Sequence, residues 1–381
     1  MEIKLAQHSL SKALNYVTRA VSVKPNIPVL SNVLVEVNKT NLHLAATNLD
    51  MGINLWIPGQ VESEGSLTVS GKLLADFVAA TGEGNVVLKQ EGDTLKALTD
   101  KAQAEFATIS AQEFPILPRV SEKPLMKVKS NLLVDALTKV VFACAADVVT
   151  SKVQHTGVLW EIDPELKENE VTLVGLDGYR LSLKTIEVTD SSAEEPMKLI
   201  VPARPLQELI KILSAEDVEE CEIFVNEAKT QIIYRCGEIE VSVRLIEGPY
   251  AEYAKVIPAD ESLSFSVPKA DLEHALKVVY TFAKNSQGYR VDWDLDLETT
   301  TLTMRSSISQ MGQNEVQLKL KDVTGSSDFK GAYSLQFLIE LVSHIQGDEV
   351  SFATNGPLAA AVFKDSKDKD FLHIIMPLQR D

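Results

Sequence analysis

The sequence predicts an α+β protein of three similar domains, each built from two units that couple one helix to an antiparallel sheet. Three observations carry that reading. An apolar pattern returns along the whole chain, each copy switches from a two-residue period to three-and-four spacing, and alternating segments follow each helix. The 381 residues are 45% hydrophobic and 24% charged. Such a chain has apolar material for ordinary cores and lies far from the composition of a disordered one.

The first copy is Ile3, Leu5, Leu10, Ala13, Leu14 and Val17. Met126, Val128, Leu133, Ala136, Leu137 and Val140 repeat it without a gap, as do Phe265, Val267, Leu272, Ala275, Leu276 and Val279. Each reads as strand, tight turn, amphipathic helix. Weaker copies lie between them, at Leu67 to Val78, Leu199 to Ile210 and Gly331 to Val342, giving six units. Pro202 and Pro268 stand where strand should hand over to helix, which suits a residue with fixed φ and no amide donor. Alternating segments at 33–37, 42–46, 158–162, 171–176, 223–225 and 241–245 predict antiparallel strands. In 291–297, apolar Val291, Trp293, Leu295 and Leu297 alternate with Asp292, Asp294 and Asp296, marking one buried and one wet face. One helix with its strands cannot bury a core alone, so units should pack in pairs. Turn-rich, proline-containing stretches at 121–124 and 254–260 then divide the chain into domains 1–122, 123–254 and 255–381.

With 37 basic and 54 acidic residues the net charge is −17, which argues against a general basic coat for nucleic acid. Glu2 stands where a signal peptide wants a cation, and no apolar run approaches the roughly 18 residues of a membrane-spanning helix. A cytoplasmic protein without membrane contact is expected. Cys144, Cys221 and Cys236 lack metal or disulfide spacing and read as reduced thiols. Asn38-Lys39-Thr40 reads as a hairpin turn, Gly65 to Lys72 as a strand-to-helix turn, and Gly82-Glu83-Gly84 as a helix end. The six histidines are scattered, with no spacing for a metal. No catalytic residue and no cofactor are predicted. Asp177-Gly178-Tyr179-Arg180 is foremost a turn.

Charge patterning is more informative. From residue 3 to 35 there are Lys4, Lys12, Arg19 and Lys24 and no acid, where the chain average would place about five. On the first helix, Lys12, Asn15 and Arg19 lie opposite the stripe of Leu10, Leu14 and Val17. Other units offer Lys72, Lys139, Arg204 with Lys211, and Lys277 with Lys284. Their recurrence puts a shared surface facing a polyanion on an equal footing with the plainer reading of solvated helix faces.

Several strings now resemble the bacterial beta sliding clamp family. Lys24-Pro25-Asn26-Ile27-Pro28-Val29-Leu30 is similar to its basic-Pro-Thr-x-Pro-Ile-Leu stretch, Ala46-Thr47-Asn48-Leu49-Asp50-Met51 to its Thr-Asp-Leu-Glu string, and Phe114-Pro115 to the close of its first domain. Leu176 to Leu181 resembles Thr-Asp-Gly-His-Arg-Leu, Leu245 to Tyr250 resembles Leu-x-x-Gly-x-Phe, and Ile374-Ile375-Met376-Pro377-Leu378 resembles Val-Val-Met-Pro-Met. The resemblance covers the full length and implies the DNA clamp fold, closed by a head-to-tail homodimer into a ring around double-stranded DNA. Such a ring contacts phosphates without reading sequence, and it pairs its own sheet edges on closure.

The same resemblance implies a non-catalytic processivity role in DNA replication. Expected partners are the replicative DNA polymerase, the clamp loader and other clamp-binding repair or ligation proteins. Their peptide tails would enter a cleft drawing on His155, Leu176, Gly178, Tyr179, Arg180, Leu181, Lys255, Val256, Ile374, Met376, Pro377 and Leu378. Leu176, Ala251, Lys255 and His155 depart from the family pattern, so the peptide preference should differ. Phe106 and Ile109, with Tyr280 and Phe282, are the candidate dimer contacts. An enzyme site around Asp177 and Arg180, and an acidic scaffold that never meets DNA, are the competing readings.

Overall fold

The computed structural model describes residues 1–22, 26–118, 120, 123–166 and 169–379. Six α-helices occur among them: α1 (Gln7–Val17), α2 (Gly71–Ala80), α3 (Ser130–Val141), α4 (Ala203–Ala215), α5 (Lys269–Ala283) and α6 (Leu335–His344). Each follows directly on a strand. Glu2–Ala6 runs into α1, Met197–Pro202 into α4, and Leu263–Pro268 into α5. The two prolines therefore end their strands, where a missing amide breaks no ladder bond. Inside each helix the three-and-four spacing buries one stripe: Leu10, Leu14 and Val17 in α1 and Leu272, Leu276 and Val279 in α5 are at most 2% exposed. The α2 helix ends before Gly82, whose φ of +73° is the left-handed conformation that glycine adopts without penalty.

The chain forms two compact units. One comprises residues 1–134, 188–194 and 204–245, the other 135–187, 195–203 and 246–381. In the first, fourteen antiparallel strands join in one sheet. Its two halves come from distant parts of the sequence, and they join where Ile239–Arg244 pairs with Met51–Pro58, from Ile239 opposite Leu55 to Val243 opposite Met51. The second unit holds a nine-stranded and a four-stranded sheet. There Arg180–Glu187 pairs with Asp368–Ile375, from Arg180 opposite Ile375 to Lys184 opposite Phe371. The expected middle domain is thus shared between the two units, because its outer strands find their hydrogen-bond partners in neighbouring segments.

Predicted local features take their places. Asn38 to Thr40 connects Asn32–Val37 to Asn41–Thr47, and 290–296 forms a strand with Val291, Trp293 and Leu295 at most 1% exposed. Trp293 lies edge-on to Tyr333 with ring centres 5.1 Å apart, and 5.3 Å from Phe352, at the heart of the second unit's core. Gly175 is required by close approach. A Cβ there would lie 2.2 Å from the Val140 carbonyl oxygen.

Candidate nucleic-acid interface and peptide cleft

The basic residues of the helices fall into three states. Lys72, Arg204 and Lys277 are exposed and make no ion pair among the described residues, while the exposed Lys284 lies 5.8 Å from the Tyr280 ring centre. Lys12, Arg19 and Lys211 are paired. Lys12 donates to Glu216 at 2.8 Å, and Glu208 accepts from Arg19 at 2.7 Å and from Lys211 at 2.8 Å. Burial would raise the Glu208 pKa, but the bonds from Lys211 and Arg19 outweigh it and hold the carboxyl below its usual range. Burial, helped by a hydrogen bond with Glu216, pushes the Tyr16 hydroxyl up. Sequence reasoning missed both glutamates. The spacing of Glu208 and Lys211 was the available signal for one of them.

Lys139 is a correction. It is 2% exposed, and its ammonium donates to Asp135 at 3.1 Å and to Asp368 at 2.5 Å. Its charge is consumed inside the second unit and offers nothing to a phosphate. Lys24 lies outside the described residues.

Between α1 and α2 runs an open groove of about 1000 Å³. Its lining includes His8, Ser11, Lys12, Asn15 and Lys72. Gln7 fixes its floor by donating to the Val78 carbonyl at 2.6 Å. A second groove, about 550 Å³, separates α5 from α6 and is lined by Lys277, Tyr280 and Ile339 among others. Tyr280, 44% exposed, lines this groove beside Lys277. Phe282 does meet a sheet edge: it packs beside Gly312, the start of Gly312–Lys319. That strand pairs with Thr301–Ile308 on one side and is the end strand of its sheet. Phe106 is 9% exposed and covered edge-on by Phe77, and Ile109 packs against the cluster of Val29, Ala45 and Phe114. Their strand, Gln103–Ile109, pairs along 103–107 with Thr94–Leu98, but its other side pairs only at Thr108 and Ile109 among the described residues.

The cleft residues divide by depth. Leu176, Leu181 and Ile374 are 5%, 3% and 0% exposed and belong to one apolar cluster with Leu159, Val174 and Val362. Ile374 lies on Asp368–Ile375, an inner strand paired on both sides. Tyr179 is 67% and Val256 43% exposed, Gly178 and Lys255 are exposed, and Met376, Pro377, Leu378 and His155 are half-buried. Lys255 pairs with Glu252. The Met376 amide donates to the Tyr179 carbonyl at 2.8 Å, which holds the C-terminal strand beside the turn. His155 accepts or donates with Ser151 at 3.0 Å and lies edge-on to Tyr250; its pKa is lowered by burial and then by the Lys152 charge.

Asp177 builds the turn by accepting from the amides of Tyr179 at 2.8 Å and Arg180 at 3.0 Å. Gly178 supplies its φ of +98°. Arg180, 8% exposed, donates to Asp177 at 3.1 Å, to Glu340, and to the Phe142 carbonyl at 2.8 Å, with its guanidinium 4.5 Å from the Phe337 ring centre. Phe142 stacks on His344 and His373, with ring centres 4.1 and 5.3 Å away. This fully engaged acid and base form an anchor for the turn, not a reactive pair. Among the described residues no helix is long and apolar enough to cross a membrane.

Residues 1–118, 127–252 and 254–379 match the family models for the N-terminal, central and C-terminal domains of the DNA polymerase III beta subunit. The curated "Beta sliding clamp" of Synechococcus elongatus is 25% identical over 382 residues, covering 100% of this chain and 99% of the relative. Its counterpart in Staphylococcus epidermidis is 24% identical over 391 residues, with the same coverage. The solved DNA polymerase sliding clamp of Bacillus subtilis superposes with a TM-score of 0.93 at 19% identity, and the Streptococcus pyogenes beta subunit with 0.91 at 20%, each covering both chains fully.

Proposed function

The chain belongs to the DNA polymerase III beta subunit family, and from that premise we propose that it works as a ring of two head-to-tail subunits that encloses duplex DNA and tethers the replicative polymerase. It is a DNA sliding clamp and not an enzyme. The domains are 1–122, 123–254 and 255–381, a division supported by the family spans. The observation that carries the reading is the helix surface: every described basic residue predicted there except Lys139 lies at least partly open to solvent, with Lys12 and Lys72 lining the groove between α1 and α2 and Lys277 the one between α5 and α6. Contacts of that kind hold DNA through counterion release, fix no sequence and permit sliding. The acidic remainder of a chain carrying −17 directs DNA away from other surfaces.

Closure would join the free side of 103–107 to the end strand Gly312–Lys319 of a second copy, with Phe282 beside the seam. This is a heterologous contact whose rotation closes after two subunits, and it removes two exposed sheet edges. Tyr179, Val256, Met376, Pro377 and Leu378 would receive the apolar anchors of peptide tails from the polymerase, the clamp loader and repair or ligation proteins, while Leu176, Leu181 and Ile374 support them from beneath. The setting is the cytoplasm.

Two measurements test the proposal. Light scattering should give twice the chain mass of 41.8 kDa at micromolar concentration. The protein, loaded by a clamp loader and ATP, should stay on nicked circular plasmid and leave when the plasmid is linearised. A monomer, or equal loss from circular and linear DNA, overturns the ring.

A further inference from the structure

We infer that Glu208 and Glu216 are internal latches on the DNA-facing cations, so that Lys12, Arg19 and Lys211 meet phosphate only by leaving a carboxylate of the same chain. The inference rests on the proposed DNA role and adds to it a residue-level control of grip. One carboxylate, Glu208, is divided between two cations: Oε2 accepts from Arg19 and Oε1 from Lys211. Glu216 takes the third, Lys12. The acids sit deeper than the lysines they hold. Glu208 and Glu216 side chains are 21% and 19% exposed, against 52% for Lys12 and 55% for Lys211. A phosphate therefore reaches the lysines first, while each acid stays in place behind them.

The hold on Arg19 is incomplete. Only Nη1 bonds Glu208, and its buried Nε has no acceptor among the described residues. A guanidinium is built for two-toothed contact with an oxyanion, so a phosphate with several oxygens is the better match once the side chain turns outward. Ion pairs this open to solvent are weak and salt-sensitive, which makes the exchange reversible. Every contact made in this way also uncovers a negative carboxylate close to DNA. The result is a surface whose attraction is trimmed at three cations and full at Lys72, Arg204 and Lys277. A purely structural staple between α1 and α4 would use the same bonds but would leave the DNA salt dependence alone.

The test is duplex DNA binding by the full chain from 50 to 300 mM NaCl, read by fluorescence anisotropy, for the double variant Glu208→Gln/Glu216→Gln. Glu62→Gln/Glu64→Gln, two exposed carboxylates on and beside the strand Gln60–Ser63, removes the same charge elsewhere. Freed latches should tighten binding at least about threefold beyond that control and steepen the log–log salt slope by about two. Equal affinity and slope in the two double variants overturn the latch, as does weaker binding by the first. Lys72→Glu/Lys277→Glu separates the two ideas. If that change weakens binding while the latch variant matches its control, the DNA role stands and the latch falls; if neither pair of changes moves binding, the DNA role falls with it.

Discussion

Lys139 and Asp368, 229 positions apart in sequence, are joined by a 2.5 Å hydrogen bond at the end of α3. Lys184 donates to the other oxygen of the same carboxylate, also at 2.5 Å. Side-chain exposure is 3% for Lys139, 9% for Lys184 and 10% for Asp368, so removing one partner strands charge in poor solvent. Lys139→Met should destabilise the second unit by about 3 kcal/mol, the low end for a broken buried pair because Lys184 remains. Urea unfolding checks this. DNA retention by the folded variant should match the parent, since Lys139 reaches no phosphate.

Asp368 also sets an acid limit. Burial would raise its pKa, but the bonds from Lys139 and Lys184 win and hold it below the ordinary carboxylate value. A depressed carboxyl contributes stability that is present above its unfolded pKa, near 3.9, and is lost as pH falls through the folded value. Asp368→Asn should therefore be less stable than the parent at pH 7, with the difference shrinking below about pH 4. A gap that stays constant to the lowest measurable pH contradicts the assignment.

The histidines beside Arg180 act in a milder range. His373 is fully buried, with Nδ1 2.6 Å from Ser182 Oγ, and its pKa is lowered by burial and then by Arg180 and His344. His344 is lowered too, because burial exceeds the pull of Glu340. An unfolded imidazole takes a proton near pH 6.5 while these resist it, so stability is present above that pH and falls below it, by at most about 1.4 kcal/mol per pH unit for each group. Urea midpoints between pH 8 and 5 should decline for the parent and decline less for His373→Gln. Parallel curves would refute this.

Tyr179 is the exposed aromatic at the turn that Asp177 and Gly178 create. Tyr179→Ala should weaken the binding of a labelled short peptide with apolar anchors about tenfold. Its urea midpoint should hold within about 0.5 kcal/mol, as for a surface change. Anisotropy and unfolding measured on the same preparation distinguish a lost anchor from a damaged fold.

Gly175→Ala tests packing alone. Its Cβ would meet the Val140 carbonyl oxygen at 2.2 Å and the Cys144 sulfur at 3.1 Å. Backbone cannot step aside as a flexible side chain can, so about 3 kcal/mol should be lost, measured by the same unfolding.

Local signals made much of this fold legible. Fixed φ at Pro202 and Pro268 marked strand-to-helix handovers, and alternation from Val291 to Leu297 marked a half-buried strand. Pairing between Arg180–Glu187 and Asp368–Ile375 left no such trace, since a strand's neighbour is chosen by packing between distant segments. The same distance explains the error at Lys139: Asp135 was visible one turn away, Asp368 was not. Leu176, Leu181 and Ile374 look alike whether they wall a cleft or support it, because sequence records apolarity and not depth. The turn at Asp177 to Arg180 was legible as a turn, but Phe142, Phe337 and Glu340, which hold Arg180, come from remote parts of the chain.

A polypeptide assembled from copied modules has here given up the autonomy of its middle copy. An excised central third would lose residues 51–55 from beside Ile239–Arg244 and residues 371–375 from beside Arg180–Glu187, baring two ladders at once. Such a fragment would be sticky instead of self-sufficient. Repetition in sequence and independence in folding are separate properties, and cutting the chain between its repeats would recover the first without the second.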